Sequence, residues 1–460
     1  MKTSPKTNRG VAVAILSDIL ENGAYANIAL RKALPESSLD SRDRAFVTEL
    51  TNETLRNLIA IDYVINHFSK ITVSKMKPFI RNLLRISVCQ LRHIEKTPDS
   101  AAVNEAVILA KANGYAGLSG FVNGVLRTIA RQPQVPPIPS PQGPEYLARR
   151  YSYPSWLAAS LIKWLGAKAA ESFCYNSHQP PPVTIFANTH KITPEALMNN
   201  LQECGVESTP LSAYMEEGDT SYTFPYDNFL VLRNSGDITQ LPAFQEGLFF
   251  VMDPGAIWAI NALDLKPGQT IIDLCAAPGG KSFAAACSMG NTGRIKAFDI
   301  HPHRTSLIKE SIKRMGLTCI TPETKDALSY DPALQGYADA VLLDAPCTGF
   351  GTIRKRPEIK YNRKPSDITA LAEKQRQMLS IAAKYVKPGG VLVYSTCTVA
   401  RKENIDNVRW FLQSHPFTIR PPVQPSLANT HFIVEDDCLQ ILPGPINDGF
   451  FIAAMTSIQS

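Results

Sequence analysis

Apolar residues recur at helical steps through residues 1–132. Val47, Leu50, Thr54, Leu58 and Ile61 form one series, and Ile80, Leu83, Leu84, Ser87 and Leu91 form another behind Pro78, a first-turn residue. Asp99 is placed to cap a further helix over 101–112. No two-residue alternation interrupts this region, so it reads as all-α, closing on Phe121-Val122-Asn123-Gly124-Val125-Leu126. Prolines at 133, 136, 137, 139, 141 and 144 make 133–145 a semi-rigid linker, because proline sustains neither helix nor central strand. Residues 146–245 are mixed. Helices are predicted over 156–164 and, capped by Thr193, over 194–204, with strands over 183–187 and 229–232. From 246 to 460 short apolar runs alternate with helical stretches. Strands are predicted at 270–274, 294–298, 338–343 and 391–394, and the clearest helix at 367–385. That alternation implies a mostly parallel sheet covered by helices, with ligands at the carboxyl ends of its strands.

Composition narrows the class. The 460 residues, 44% hydrophobic and 19% charged, suit two or three globular domains. No apolar run reaches the roughly 18–20 residues that span a bilayer, and Met1 to Gly10 lacks an apolar signal core. Nine cysteines without tight spacing form neither a disulfide framework nor a zinc site, so a reducing cytoplasm and no metal are expected. The charge is uneven. Residues 1–132 carry 18 Lys and Arg against 11 Asp and Glu, while the rest carry 29 against 30. A basic helical region favours a polyanionic partner.

Candidate chemistry gathers at the predicted strand ends. Asp273-Leu274-Cys275-Ala276-Ala277-Pro278-Gly279-Gly280-Lys281 is a glycine-containing turn between strand and helix, where backbone can approach a ligand closely. Gly280-Lys281-Ser282 resembles the end of a nucleotide P-loop, but Cys275 stands where that loop needs its first glycine, and no G-x-G-x-x-G occurs. Asp299, nineteen residues beyond Gly280, ends the next strand, where an acid accepts hydrogen bonds from ribose hydroxyls, and Asp326 lies near a third strand end, within reach of an adenine. An adenosine cofactor without a pyrophosphate fits, S-adenosylmethionine first.

Two thiols follow, in Asp344-Ala345-Pro346-Cys347 and Ser395-Thr396-Cys397-Thr398. Carbon 5 of a pyrimidine is a poor nucleophile until a thiolate adds to carbon 6 and makes the ring an enamine. Such chemistry needs a nucleophilic cysteine, a group near N3 or the exocyclic amine, and a base. Asp344 is placed to bind the polarised ring. A thiol near its ordinary pKa of ~8.5 must be activated, and the residues alone leave open which thiol attacks. Downstream, Arg354, Lys355, Arg356, Lys360, Arg363 and Lys364 with Tyr361 read as a phosphate-contacting surface.

At these motifs the chain resembles the RNA cytosine-C5 methyltransferases, and within them the RsmB/Sun (Fmu) group. The residues that carry the resemblance are 273–281, Asp344 to Cys347 with Gly349, Gly351 and Ile353 to Pro357, Tyr394 to Thr398 with Glu403-Asn404, and Gln440, Pro443 and Asp448-Gly449-Phe450-Phe451. Ala102 to Ala106 and Phe121 to Arg127 resemble a NusB-like RNA-binding domain. The resemblance implies a Rossmann-like methyltransferase domain behind a NusB-like domain and a small RNA-contacting module. It implies Cys397 as nucleophile, Cys347 as the thiol that assists product release, and Lys281 within the catalytic set. Cofactor contacts are implied at Cys275, Ala276, Ala277, Pro278, Gly279, Gly280, Lys281, Asp299, Asp326 and Asp344. The substrate implied is small-subunit ribosomal RNA, and a monomer is expected. A transfer RNA substrate, or an RNA-binding assembly factor with a silent methyltransferase fold, is the alternative; the intact Lys281, Asp344, Cys347 and Cys397 argue against silence. Phe186 and Met252 stand where relatives usually carry arginine and glutamine, which bears on RNA placement.

Overall fold

The computed structural model describes residues 7–94, 98–132, 134, 136, 138, 142–217, 227–422 and 431–458. Much of the predicted linker, namely 133, 135, 137 and 139–141, lies outside them, as do residues 1–6 of the N-terminal stretch. The chain divides into two compact units. One comprises Met1–Gln179 with Ile353–Lys364, and the other Pro180–Thr352 with Pro365–Ser460. No helix among the described residues is long and apolar enough to cross a membrane.

The first unit is helical. Asn8–Asn22, Ala26–Glu36, Ser41–Arg56, Leu58–Phe68, Pro78–His93, Asp99–Ala112 and Ser119–Arg131 bury one core, which includes Leu16, Val47, Leu50, Ile80, Leu83, Leu84, Leu109, Val122 and Leu126. The first apolar series spans two helices rather than one: the chain bends at Asn57 (φ −106°, ψ 14°), whose amide still bonds Glu53 O. Asp99 sits inside the first turn behind Pro98 rather than at the cap, where a carboxylate still complements the helix dipole. Pro144–Tyr151, Ser155–Leu165 and Ala167–His178 belong to this unit, so the packing divides the expected mixed module at Gln179.

The second unit holds two sheets. Strands β1 (Val183–Ala187), β2 (Glu207–Pro210), β3 (Phe229–Arg233) and β4 (Phe249–Val251) form an antiparallel sheet in the order β2-β3-β1-β4. The larger sheet uses β5 (Thr270–Asp273), β6 (Arg294–Asp299), β7 (Ile320–Thr324), β8 (Ala338–Asp344), β9 (Val386–Thr396), β10 (Phe417–Arg420), β11 (Phe432–Glu435), β12 (Cys438–Ile441) and β13 (Phe450–Ser457). Its order is β11-β12-β13-β9-β8-β5-β6-β7, with β10 also on β13. The run β7-β6-β5-β8-β9 is parallel and the C-terminal strands add antiparallel.

Side-chain alternation explains why both faces of this sheet are covered. Ile271, Ala297, Leu342, Val393 and Ile452 enter one apolar core, while Ile272, Phe298, Leu343, Tyr394 and Phe451, their immediate neighbours in sequence, enter another. The small sheet does the same: Phe186 joins the first of these cores, and Ile185 and Ala187 a third. Phe186 is 1% exposed, with ring centroids 4.9 Å from Phe229 and 5.3 Å from Phe250, and Met252 is also buried. Both departures from the family pattern are therefore core residues rather than surface groups. The chain runs outward from β5 to β6 and β7, then returns to β8 and β9 on the other side. The gap between the ends of β5 and β8 is thus the switch point where such sheets bind ligands.

Candidate active site

The turn after β5 is held from several sides. Ala276 N–H donates to Phe298 O (2.7 Å) and Gly279 N–H to Ala276 O (2.7 Å). Gly279 has φ 112°, and a Cβ there would lie 2.1 Å from the Phe283 ring, so glycine is required on both counts. A Cβ at Gly280 would meet nothing within 4 Å, which leaves the start of the helix Gly280–Ser288 open for a ligand's approach. Asp273 lies beneath the turn, 1% exposed, accepting Ser282 Oγ (2.7 Å) and the Cys275 amide (3.4 Å). Burial pushes its carboxyl up to about 7, against these hydrogen bonds. Burial likewise raises the Cys275 thiol, which makes it a poor nucleophile.

Asp299 ends β6 as expected and is nearly buried. It takes the His301 amide (3.0 Å) and pairs with Arg304 (3.0 Å), whose guanidinium also donates to Ala277 O (2.5 Å). Arg304 therefore fastens the strand-end acid to the glycine turn. Nothing in the sequence beyond helical spacing marked it. Asp326 uses one oxygen on the Leu328 amide (2.9 Å). The open helix start, the glycine turn and the acid at the second strand end fit an adenosine-bearing cofactor in type and place.

At the ends of β8 and β9 the remaining residues meet. Lys281 Nζ lies 2.7 Å from Asp344 Oδ2, and Ser395 Oγ donates to Asp344 Oδ1 (2.8 Å). Burial works against the Lys281 ammonium, but Asp344 outweighs it and holds the lysine above its ordinary pKa. The two thiols face each other with sulfurs 3.2 Å apart, both partly accessible. The contact with Cys397, then burial, holds the Cys347 thiol well above its usual value, so it stays protonated at neutral pH.

Glu403 braces this loop pair from inside. Fully buried, it accepts Thr348 N–H (2.9 Å), Thr348 Oγ1 (2.5 Å) and Gln375 Nε2 (3.0 Å), while Gln375 also donates to Pro346 O (2.9 Å). Asn404 accepts Thr396 Oγ1 (2.6 Å) and donates to Thr398 O (3.0 Å) and Gln440 Oε1 (2.9 Å). Gly351 N–H bonds Cys397 O (2.9 Å), and a Cβ at Gly351 would lie 2.1 Å from Gly449 O. Glu403, Asn404, Gln440 and Gly449 stand in recognisable motif strings, but only packing shows that they set the backbone around the thiols. Gln375 had no sequence signal.

The basic run is different. Lys355 and Arg356 are exposed, but Arg354 is 2% and Lys360 1% exposed, packed in the helical unit. Lys360 Nζ donates to Arg56 O (2.9 Å) and Tyr151 O (3.2 Å). As RNA-phosphate contacts, Arg354 and Lys360 are corrected by this structure: a side chain enclosed by protein has no face left for a polyanion. Among the described residues no group of three or more His, Cys, Asp or Glu is placed to hold a metal ion.

Comparison with known proteins defines the class. The protein PH0851 aligns over 99% of both chains with a TM-score of 0.78 at 28% identity. A methyltransferase homologue from Pyrococcus horikoshii aligns over 68% of this chain and 98% of its own, with a TM-score of 0.56 at 27% identity. The fold is a Rossmann-like methyltransferase domain joined to a small sheet module and an all-helical region. Family models described as NusB family, as the ferredoxin-like domain of RsmF/B-like methyltransferases, and as 16S rRNA methyltransferase RsmB/F match residues 6–131, 153–218 and 260–456. The probable ribosomal RNA small subunit methyltransferase B of Bacillus subtilis is 38% identical over 97% of this chain and 98% of its own length, and that of Synechocystis sp. 34% identical over the same shares. The chain belongs to the ribosomal RNA small subunit methyltransferase B family.

Proposed function

We propose that the protein methylates carbon 5 of a cytidine in small-subunit ribosomal RNA, using S-adenosylmethionine and a transient bond between Cys397 Sγ and carbon 6 of the base. The observation that carries this reading is the pair of sulfurs 3.2 Å apart at the adjoining ends of β8 and β9, beside the Asp344–Lys281 pair. The relatives' names supply the substrate class. Residues 275–281 with Asp299, Asp326 and Asp344 would hold the cofactor, which when bound supplies an electrophilic methyl group.

The chain's own groups divide the work. The target base leaves its stack to reach the thiols. Asp344, each oxygen already taking one donor, keeps acceptor capacity for the exocyclic amine or a protonated N3. Cys397 adds to carbon 6: the S–C6 bond forms, and the C5–C6 π pair becomes the enamine nucleophile at carbon 5. After the methyl is in place, solvent takes the carbon 5 proton, the C–H pair re-forms the C5–C6 double bond, and the S–C6 pair leaves on Cys397 as thiolate. A protonated Cys347 donates its S–H toward that sulfur and so stabilises the leaving thiolate, in keeping with a role in release. The helical region, with its basic surplus, is assigned to RNA binding in a cytoplasmic, monomeric enzyme.

The two thiols give opposite mutant phenotypes. Cys397→Ala should abolish both methyl transfer and any covalent protein–RNA species on denaturing gels. Cys347→Ser should accumulate that species, since attack survives and departure slows. Reversal of the two patterns would exchange the roles, and methylation by Cys397→Ala would end the covalent reading.

A further inference from the structure

We propose that the helical unit carries a nucleotide-binding pocket of its own, in which arginine side chains take a phosphate and Tyr175 stacks on the base. The cavity measures about 370 Å³, and the described residues that line it all belong to that unit. Leu58–Phe68 contributes Ile61 and Val64, and Pro78–His93 contributes Val88 and Arg92. Arg149 and Arg150 come from the last turn of Pro144–Tyr151, and Tyr175 and His178 from the last turn of Ala167–His178. The volume lies in the roughly 300–1,000 Å³ range of small-molecule pockets, which suits one nucleotide and not a duplex.

Part of the positive charge has a local cause. A helix C-terminus carries about half a negative charge and favours a cation in its last turn, so the three ends gathered here call for about one and a half positive charges. Three arginines line the cavity, and none of the described residues lining it is acidic. The acids that act on them do so from outside: Glu145 lies 3.4 Å from Arg149 with its side chain 57% exposed, and Asp99 attracts Arg92. An exposed pair of that kind is weak, which leaves the cavity a positive surplus. Two of the guanidinium groups are already held in place. Arg92 donates to the carbonyls of Ile129 and Gln132, and Arg149 lies over the Tyr63 ring at 4.5 Å. Donors fixed in this way lose little freedom when an anion binds. His178 registers the same field. Burial first, then Lys360 and Arg56, hold its imidazole down at about 3, and its Nδ1 has no hydrogen-bond partner among the described residues. A bare anion site would need no more than this, yet Ile61, Val64 and Val88 give the cavity an apolar floor continuous with the unit's core, and Tyr175 is 54% exposed, which leaves ring surface for a base to cover. Guanidinium donors beside an aromatic ring are what an unpaired nucleotide engages. Two sources share that chemistry, a residue of single-stranded RNA and a free nucleoside monophosphate; the first rests on the reading of RNA as substrate.

The test uses the full chain and two probes, a short single-stranded RNA carrying 4-thiouridine and cytidine monophosphate. Irradiation should cross-link the RNA to a peptide holding Tyr175 or Arg150, located by mass spectrometry. Tyr175→Ala should weaken RNA binding by roughly tenfold without changing its salt slope, the loss expected of one stacked base. Tyr175→Phe keeps the ring and should bind as the parent does. Arg150→Gln should lower the salt slope by about 1. Both side chains are exposed, so neither change should move the midpoint of chemical denaturation. Suppression of the cross-link by excess cytidine monophosphate assigns the pocket to free nucleotides as well, and a cross-link that persists assigns it to the RNA chain. If the RNA does not bind at all, cytidine monophosphate binding that both variants weaken still upholds the pocket, and binding of neither probe overturns it. A change of salt slope in Arg150→Gln with Tyr175→Ala as the parent and cross-links only elsewhere would also overturn it, leaving a solvated basic surface. None of these measurements needs methyl transfer, so failure of the cytidine chemistry in Cys397→Ala remains a separate result.

Discussion

Cys347 and Lys360 belong to one connection, between β8 and the helix Pro365–Tyr385, and they meet opposite fates. Cys347 stays partly accessible, with its sulfur on Cys397. Lys360 is enclosed, with its ammonium on the carbonyls of two helix ends. Both are chemically rich residues in motif-like strings, yet one lies just beyond a strand end and the other in a packed interior. The difference is one of scaffold. Parallel strands deliver their carboxyl ends to one side of the sheet, so residues just beyond β5, β8 and β9 converge wherever the loops lead. A loop has no such rule, and its side chains face whatever the chain packs against.

Substitutions at each place test that contrast. The largest effect is expected at the strand ends: Lys281→Met removes the cation held on Asp344 and should lower kcat by roughly 10²-fold, read in single-turnover methyl transfer. A loss below tenfold would take Lys281 out of the catalytic set. Gly351→Ala comes next, because its Cβ would sit 2.1 Å from Gly449 O and 2.9 Å from Cys397 O, both backbone atoms that cannot swing aside. It should cost about 2–3 kcal/mol in chemical denaturation. Wild-type stability would show that the loop around the thiols yields more readily than these contacts imply.

Asp273→Asn tests the buried acid under the cofactor turn. Its folded pKa, about 7, is above the unfolded value of 3.8, so the native state binds the extra proton. The wild type should therefore lose stability from this group as pH rises from about 4 to about 7, and no more above that. The amide has no such titration, so the variant's stability relative to wild type should improve over that window and then level off. A difference independent of pH would show that Asp273 is ionised throughout. The smallest effect belongs to the exposed members of the basic run. Lys355→Ala and Arg356→Ala should each reduce the salt slope of RNA binding by about 1 without changing stability. Unchanged slopes would leave the segment with a structural task alone.

Much of the catalytic unit was legible before folding. The strands at 183–187, 229–232, 270–274, 294–298 and 338–343 appear within a residue or so, and Thr193 caps its helix as expected, accepting the Ala196 amide. Their apolar runs carry the information because burial on both faces demands it. The short C-terminal strands β10 to β13 were not read, since their pairing onto β9 comes from partners distant in sequence. At the site, Lys281, Asp344, Cys347 and Cys397 were all named. Arg304 and Gln375 were not, because each sits on an ordinary amphipathic helix and acquires its task only from the carbonyl or carboxylate it reaches.

Local patterning sufficed for the alternation of elements, for the reactive residue types at the strand ends and, through resemblance, for the family. These follow from local periodicity and from motifs whose spacing is set within one strand-turn-helix unit. Packing alone shows that the two sulfurs touch, that Phe186 and Met252 are core, and that within the basic run Arg354 is buried and Lys360 serves two helix ends instead of facing solvent. Contacts between residues far apart in the chain have no period to betray them; they exist only once the backbone groups at helix ends, left unsatisfied by the helix itself, have found their partners.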